Sequence, residues 1–120
     1  MEKNYPSSAK VVVIGGGVAG TSCAYHLAKF GWKDVVLLER DQLTSGTTWH
    51  AAGLIGQLGA TSTITNLRKY SLDLYKELEK TTGLSTGLKQ NGAITVASSK
   101  ERMQELLRQA TTAQLSNVEI

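Results

Sequence analysis

The first apolar run of the chain comprises four consecutive branched residues, Val11–Ile14, with no polar alternation. Such a run is typical of a short strand that is covered on both faces of a sheet. A glycine-rich turn follows at once, and residues 18–30 are compatible with a helix that has Gly31 as its C-cap. A second apolar run, Val35–Leu38, predicts another strand. The order of strand, turn, helix and strand predicts a βαβ unit with two parallel strands.

Beyond the second strand the hydrophobic periodicity disappears, between residues 40 and 62. This segment contains four glycines, several hydroxyl side chains and one Trp-His pair. Long loops within a compact domain are uncommon and tend to be functional. Because a loop that leaves the carboxyl end of a strand in an open α/β sheet emerges on the ligand side, we expect this loop to contact a bound ligand.

The second half of the chain predicts a helix, a strand and a helix. Residues 63–80 form the clearest helix, with an apolar stripe made of Ile64, Leu67, Ser71, Leu74 and Leu78. Residues 92–97 alternate enough to predict a third strand. The last helix has a predicted capping box and five apolar positions, which are Ser98 with Glu101, and Met103, Leu106, Leu107, Ala110 and Leu115.

Residues 117–120 read as the start of a further strand. A doubly wound parallel sheet needs several strands, and only two of the required kind are visible. We therefore expect the chain to be the N-terminal part of a longer protein whose sheet is completed elsewhere.

Composition and charge exclude several classes of function. The net charge of +3 comes from 13 basic and 10 acidic side chains, without the basic stripe and interleaved aromatics typical of nucleic-acid binding. No apolar run reaches the length of a membrane span, and we assign no metal ligands. The single cysteine, Cys23, is predicted to be a buried small hydrophobe rather than a reactive thiol. Residues 1–8 lack the apolar core of a signal peptide and make a poor transit peptide.

The turn after the first strand has the G-x-G-x-x-G spacing of a dinucleotide-binding turn, with glycines at positions 15, 17 and 20. Gly15 allows a tight reversal, Gly17 lets the backbone approach a pyrophosphate, and Gly20 lets the helix pack closely on the strand. The amides of Val18 and Ala19 lie in the first turn of the helix, where N–H groups have no intrahelical acceptor. We expect them to bind an anion.

A glycine-rich turn in an ordinary βαβ unit is the alternative explanation of this motif. Glu39, however, follows 19 residues after Gly20, at the end of the second predicted strand. A carboxylate at this position is expected to hold the hydroxyls of a ribose. The complete order of strand, turn, helix, strand and acid favours a nucleotide site.

Three segments, residues 38–54, 74–87 and 90–97, resemble the sarcosine and dimethylglycine dehydrogenases, which are flavoproteins that oxidise N-methyl groups. The string T-W-H-A-A-G at residues 48–53 is the most specific of these similarities. The resemblance implies an α/β fold with a Rossmann-like FAD-binding βαβ unit and flavin loop over residues 9–62. Residues 63–120 would be an incomplete start of the substrate domain.

His50, taken by itself, reads as an ordinary loop histidine beside an aromatic residue. In the family that the chain resembles, the histidine after the tryptophan is joined covalently to the 8α carbon of the flavin, which implies the same role for His50. A neutral imidazole nitrogen is the nucleophile that this bond needs. The resemblance also implies cofactor contacts by neighbouring residues, namely Gly46, Thr47, Thr48, Trp49, Ala51, Ala52, Gly53 and Leu54.

Arg40 makes NADP an alternative cofactor, because an arginine directly after the second strand can accommodate the 2′-phosphate of NADP. The adjacent Glu39 carboxylate would repel that phosphate, so FAD is favoured.

The resemblance implies an FAD-dependent oxidoreductase that moves a hydride from the N-methyl group of an N-methylated glycine to the flavin. It also implies an electron-acceptor protein or oxygen as partner, and an iminium product that is hydrolysed or passes its one-carbon unit to tetrahydrofolate. The location would be the mitochondrial matrix in a eukaryote and the cytoplasm in a bacterium. No residue is assigned as the substrate base. Two alternatives remain: a noncatalytic relative resembling the regulatory subunit of pyruvate dehydrogenase phosphatase, which lacks the tryptophan-histidine pair, and a nucleotide-binding remnant.

Overall fold

The structure is a computed structural model that describes residues 5–120. Residues 1–4, on which part of the prediction about a leader peptide rests, lie outside the described residues. The elements in chain order are β1 Val11–Ile14, α1 Val18–Lys29, β2 Val35–Leu38, a 3₁₀ turn Thr47–His50, α2 Ser62–Thr82 and α3 Lys100–Leu115. They divide into two compact units, the first ending at Gly53 and the second comprising Leu54–Ile120.

The first unit is the predicted βαβ unit, and the α/β class is confirmed. β1 and β2 pair in parallel, with Val11 opposite Val35 and Ile14 opposite Leu38. Because parallel neighbours need a crossover, α1 connects them and packs on both strands. α1 ends at Lys29, one residue earlier than predicted, so that Phe30 is the C-cap and Gly31 is the next residue.

The prediction that β1 is covered on both faces is wrong for the described residues. Val12 is 50% exposed and Ile14 is 85% exposed, whereas Val11 and Val13 are half-buried. A sheet of two strands with one crossover helix covers alternate residues on one face only. Cys23 is also exposed rather than buried. The half-buried residues Gly20, Ala24 and Leu27 form a different stripe of α1.

α2, in the second unit, is longer than predicted and buries a different stripe. Thr61 caps its N-terminus by accepting a hydrogen bond from the N–H of Ile64. The buried residues are Thr65 and Leu72, while Ile64 and Leu67 of the predicted stripe are exposed. The segment before the helix explains this difference, because the Thr65 hydroxyl accepts the N–H of Gly59 at 3.0 Å and the stripe through Thr65 faces that segment.

The rest of the second unit corrects three further predictions. Residues 92–97 form no strand, and Ile94 is 94% exposed, because no described strand pairs with them. Ser99 rather than Ser98 caps α3, accepting the N–H of Arg102 at 3.1 Å. Residues 117–120 do not continue as a strand, and Val118 packs as a buried residue after α3. No helix within residues 5–120 is long and apolar enough to cross a membrane.

Candidate functional site

The glycine turn between β1 and α1 has a geometry that only glycine permits at two positions. Gly15 has a φ of +106°, which L side chains rarely adopt, and its N–H extends the sheet by donating to Leu38 O at 2.8 Å. A Cβ at Gly20 would overlap the carbonyl oxygen of Gly15 and lie 3.0 Å from its carbonyl carbon. The turn and the first turn of α1 therefore touch backbone to backbone.

The N-terminus of α1 has no acidic residue of its own. Its N-cap is Gly17, which makes no side-chain cap, and its first turn holds no acidic residue. A carboxylate from outside the helix, that of Glu39, accepts the N–H of Gly16 just before this positive end of the helix dipole. The N–H of Val18 donates to the hydroxyl of Thr48 at 2.9 Å, and a Cβ on Gly17 would lie 2.9 Å from the same oxygen. A side chain at position 17 would fill this space.

Glu39 lies at the end of β2 with its carboxylate directed to backbone amides. Oε2 accepts the N–H of Gly16 at 2.6 Å, and Oε1 accepts the N–H groups of Arg40 at 2.7 Å and Asp41 at 3.2 Å. These hydrogen bonds, with that of Gly16 the largest cause, hold the pKa of Glu39 below its usual value. An ionised carboxylate offers about four acceptor positions, so one remains for a further donor. The Arg40 side chain is exposed.

Gly16 is a site residue that the sequence reasoning did not single out. It is buried, and a Cβ there would lie 3.1 Å from Cβ and Oε2 of Glu39 and 2.5 Å from Cδ2 of Leu43. Its carbonyl oxygen accepts the N–H of Thr44 at 3.0 Å. The dinucleotide motif leaves this position open to any residue. The available signal was the run of three consecutive glycines at residues 15–17, in which Gly16 is the middle one.

His50 closes a 3₁₀ turn inside the loop that was predicted to be irregular. Its Nδ1 lies 3.0 Å from the carbonyl oxygen of Gly46. A carbonyl oxygen only accepts, so in a neutral ring this contact places the proton on Nδ1 and the lone pair on Nε2. Both His50 and Trp49 are exposed, so Nε2 is accessible to a ligand.

The structure brings most of the predicted site into the first unit. The glycine turn, Glu39 and residues 46–50 lie together, because Thr48 of the 3₁₀ turn contacts Val18 at the start of α1. Ala51, Ala52 and Gly53 follow as exposed backbone, while Leu54 begins the second unit. Within the described part of the chain, no group of three or more His, Cys, Asp or Glu side chains could hold a metal ion.

These residues fit an anionic dinucleotide cofactor such as FAD. The contact between Gly15 and Gly20 brings the glycine turn against the helix start, and a Cβ at position 17 would lie 2.9 Å from the Thr48 hydroxyl oxygen. That helix start carries a positive dipole end, and its own first turn holds no acidic residue. A carboxylate with an acceptor position still open follows at the end of β2.

Comparison with known proteins gives consistent results. The profile of the DAO family, FAD dependent oxidoreductase, matches residues 10–120. The chain is 47% identical over 115 residues to mitochondrial sarcosine dehydrogenase of Homo sapiens, and 44% identical over 110 residues to mitochondrial dimethylglycine dehydrogenase of the same species. It is 43% identical over 103 residues to the mitochondrial pyruvate dehydrogenase phosphatase regulatory subunit of Mus musculus.

These similarities cover nearly the whole chain and a small part of each relative. They span 95%, 92% and 86% of this chain in the same order. They span 12%, 13% and 12% of the lengths of the three relatives.

Proposed function

The chain belongs to the FAD-dependent oxidoreductase family, and from this membership we propose that it is the FAD-binding part of a flavoenzyme that oxidises the N-methyl group of an N-methylated glycine. Sarcosine dehydrogenase and dimethylglycine dehydrogenase are among its relatives at 44–47% identity. The substrate class rests on this similarity, since we assign no substrate base among the described residues.

One observation carries the proposal: a single short turn joins the anion-binding end of α1 to an accessible imidazole. Thr48 contacts the amide of Val18, and His50 lies two residues further in the same turn with its Nε2 lone pair available. A generic nucleotide fold has no need of an imidazole held in this tautomer next to the pyrophosphate turn. A flavin that is joined covalently to a histidine does.

We propose that Nε2 of His50 is joined covalently to the 8α carbon of the flavin. In net terms one N–C bond would form at Nε2, one C–H bond of the ring methyl and afterwards the Nδ1–H bond of the imidazole would break, and the two electrons and two protons would pass to an oxidant such as dioxygen. The Gly46 carbonyl supports this role because it retains the proton on Nδ1 and so keeps Nε2 unprotonated in the neutral ring. The bound flavin would supply the redox chemistry, as the acceptor of the hydride from the N-methyl group.

The other predicted residues take binding roles in this proposal. The amides of Val18 and Ala19 bind the pyrophosphate, and Glu39 accepts a ribose hydroxyl. An ionised carboxylate beside Arg40 disfavours the 2′-phosphate of NADP. Further positions line the cofactor between its pyrophosphate and its ring, namely Gly46, Thr47, Thr48 and Trp49, and residues 51–54 run beneath the ring.

The wider assignment follows from the relatives. We propose that residues 9–62 form the FAD-binding unit and that residues 63–120 lead into a substrate domain. Electrons would leave to an acceptor protein or to oxygen, and the one-carbon product would pass to tetrahydrofolate bound outside the 120 residues. The mitochondrial relatives support a matrix location if the protein is eukaryotic, and a bacterial protein would be cytoplasmic.

Flavin fluorescence in a denaturing gel of the full-length protein tests the covalent bond. We expect a fluorescent band for the parent protein and for His26→Ala, and none for His50→Ala. His26 is the matched control because it is the other histidine of the chain and lies in α1. A flavin-loaded parent protein that loses all its flavin on denaturation would refute the tether.

A noncatalytic regulatory protein is the second candidate, because the phosphatase regulatory subunit is 43% identical to the chain. Sequence identity alone does not separate it from the dehydrogenases, which are 44–47% identical. The presence of His50 after Trp49 favours the enzyme. Turnover of sarcosine or dimethylglycine by the flavin-loaded protein would exclude the regulatory role.

A further inference from the structure

The segment that follows β2, residues 39–44, holds the glycine turn at one residue. Gly16 donates its N–H to Glu39 Oε2 at 2.6 Å and accepts the N–H of Thr44 on its carbonyl oxygen at 3.0 Å. Leu43 lies against the Cα of Gly16, because a Cβ on Gly16 would lie 2.5 Å from the Leu43 side chain. Both polar groups of the Gly16 peptide and its Cα thus contact one short segment, which we call the exit segment.

The exit segment is itself held in a specific conformation. Thr44 has a φ of +67°, in the left-handed region that a β-branched residue rarely adopts. Such a conformation persists only where surrounding contacts stabilise it. One such contact is the hydrogen bond from the Thr44 N–H to the Gly16 carbonyl, and the Glu39 carboxylate holds the start of the same segment by accepting the N–H groups of Arg40 and Asp41. The same side chain therefore fixes both the exit segment and the glycine turn.

We propose that Glu39 is a positioning residue for the pyrophosphate turn: through Gly16 it raises the affinity for the diphosphate of FAD, independently of any contact with ribose. The inference rests on the proposed function. Gly16 lies between Gly15 and Gly17, so its peptide orients the two glycines that bring backbone amides to the phosphate. Without the carboxylate the Gly16 N–H has no fixed acceptor, and FAD binding must order the turn.

Binding of two ligands separates this role from a ribose contact. The ligands are FAD and an FAD analogue in which 2′,3′-dideoxyadenosine replaces adenosine, so that the ribose hydroxyls are absent. Every protein carries His50→Ala, which keeps binding reversible, and dissociation constants come from quenching of flavin fluorescence. Glu39→Gln is the test variant, because an amide cannot accept on both sides as the carboxylate does.

We expect Glu39→Gln to weaken binding of the dideoxy analogue about fivefold, the value for one hydrogen bond, and to weaken FAD by at least as much. The matched control is Glu79→Gln. Glu79 is a carboxylate of the second unit that likewise accepts a backbone N–H, from Thr86 at 2.7 Å. The Glu79→Gln variant should change neither dissociation constant by more than about twofold.

Gly16→Ala provides a second variant that keeps the carboxylate, in case Glu39→Gln does not fold. Its Cβ would lie 2.5 Å from Leu43 Cδ2 and 3.1 Å from Cβ and Oε2 of Glu39, so that both side chains of the exit segment must shift. We expect it to weaken both ligands by similar factors. A further readout is hydrogen exchange of the cofactor-free protein, in which the Gly16 amide should exchange faster in Glu39→Gln than in the parent.

The outcomes are distinguishable. Weaker binding of the dideoxy analogue by Glu39→Gln, with FAD weakened equally or more, supports the inference. An analogue that binds Glu39→Gln and Gly16→Ala as tightly as the parent overturns it and leaves Glu39 as a ribose ligand only. A parent protein that binds no FAD overturns the proposed function itself.

Discussion

Gly20→Ala gives the sharpest test of how closely α1 approaches the glycine turn. The new Cβ would overlap the carbonyl oxygen of Gly15, whereas ordinary contact begins at 3.4 Å, the distance at which it would meet Val13 Cγ1. Because a backbone carbonyl cannot rotate away, we take the upper end of the cost of overpacking, about 3 kcal/mol. Alanine is favoured over glycine within a helix by about 1 kcal/mol. The net expectation is a loss of about 2 kcal/mol in the free energy of unfolding.

Urea unfolding of the full-length protein without cofactor, followed by circular dichroism, measures this loss. The control is Gly56→Ala, because Gly56 does not have a positive φ and has open space where its Cβ would lie. We expect Gly56→Ala to change stability by no more than about 0.5 kcal/mol. Helix propensity alone predicts that Gly20→Ala is stabilising, so the two explanations differ in sign. A Gly20→Ala protein more stable than the parent would refute the close approach.

Three further predictions concern stability. Thr44→Gly should raise the free energy of unfolding by about 0.5–1 kcal/mol in urea, because glycine adopts a φ of +67° without strain; a loss would contradict the strained conformation. Lys69→Met should lower it by about 1 kcal/mol, since the Lys69 ammonium donates to two carbonyl oxygens at the end of α3, while the exposed Lys89→Met should have little effect. The hydroxyl and N–H of Thr86 hold the pKa of Glu79 below its usual value. The stabilisation that ionised Glu79 gives to the folded protein is therefore fully present above the ordinary carboxyl pKa, and it disappears as the pH falls through the lowered pKa. When the pH is lowered from about 6 to about 3, the free energy of unfolding should therefore fall less in Glu79→Gln than in the parent. Equal falls would count against the contact between Glu79 and Thr86.

Local patterns predicted the first unit well because its elements depend on neighbouring residues. The strands Val11–Ile14 and Val35–Leu38 have the predicted bounds, and the glycine spacing predicted the turn between β1 and α1. The contact between Val18 and Thr48 joins residues 30 positions apart, and no local pattern indicates it. Gly16 was missed for the same reason, since its burial depends on the exit segment.

The second unit shows what a sequence pattern cannot determine. Residues 92–97 alternate like a strand, but a strand also requires a pairing partner, and the described residues supply none. In α2 the buried stripe passes through Thr65 and Leu72, next to the predicted stripe, because the segment before the helix packs there. Helical periodicity identifies a helix, whereas the neighbours decide which of its faces is buried.

Peptide mass mapping of the flavin-containing protein tests the central claim most directly. Cleavage after Arg40 and Arg68 releases residues 41–68, a peptide in which His50 is the sole histidine. The account predicts that this peptide carries the mass of the flavin and that fragmentation places it on His50. An unmodified 41–68 peptide from protein that retains its flavin under native conditions would contradict it.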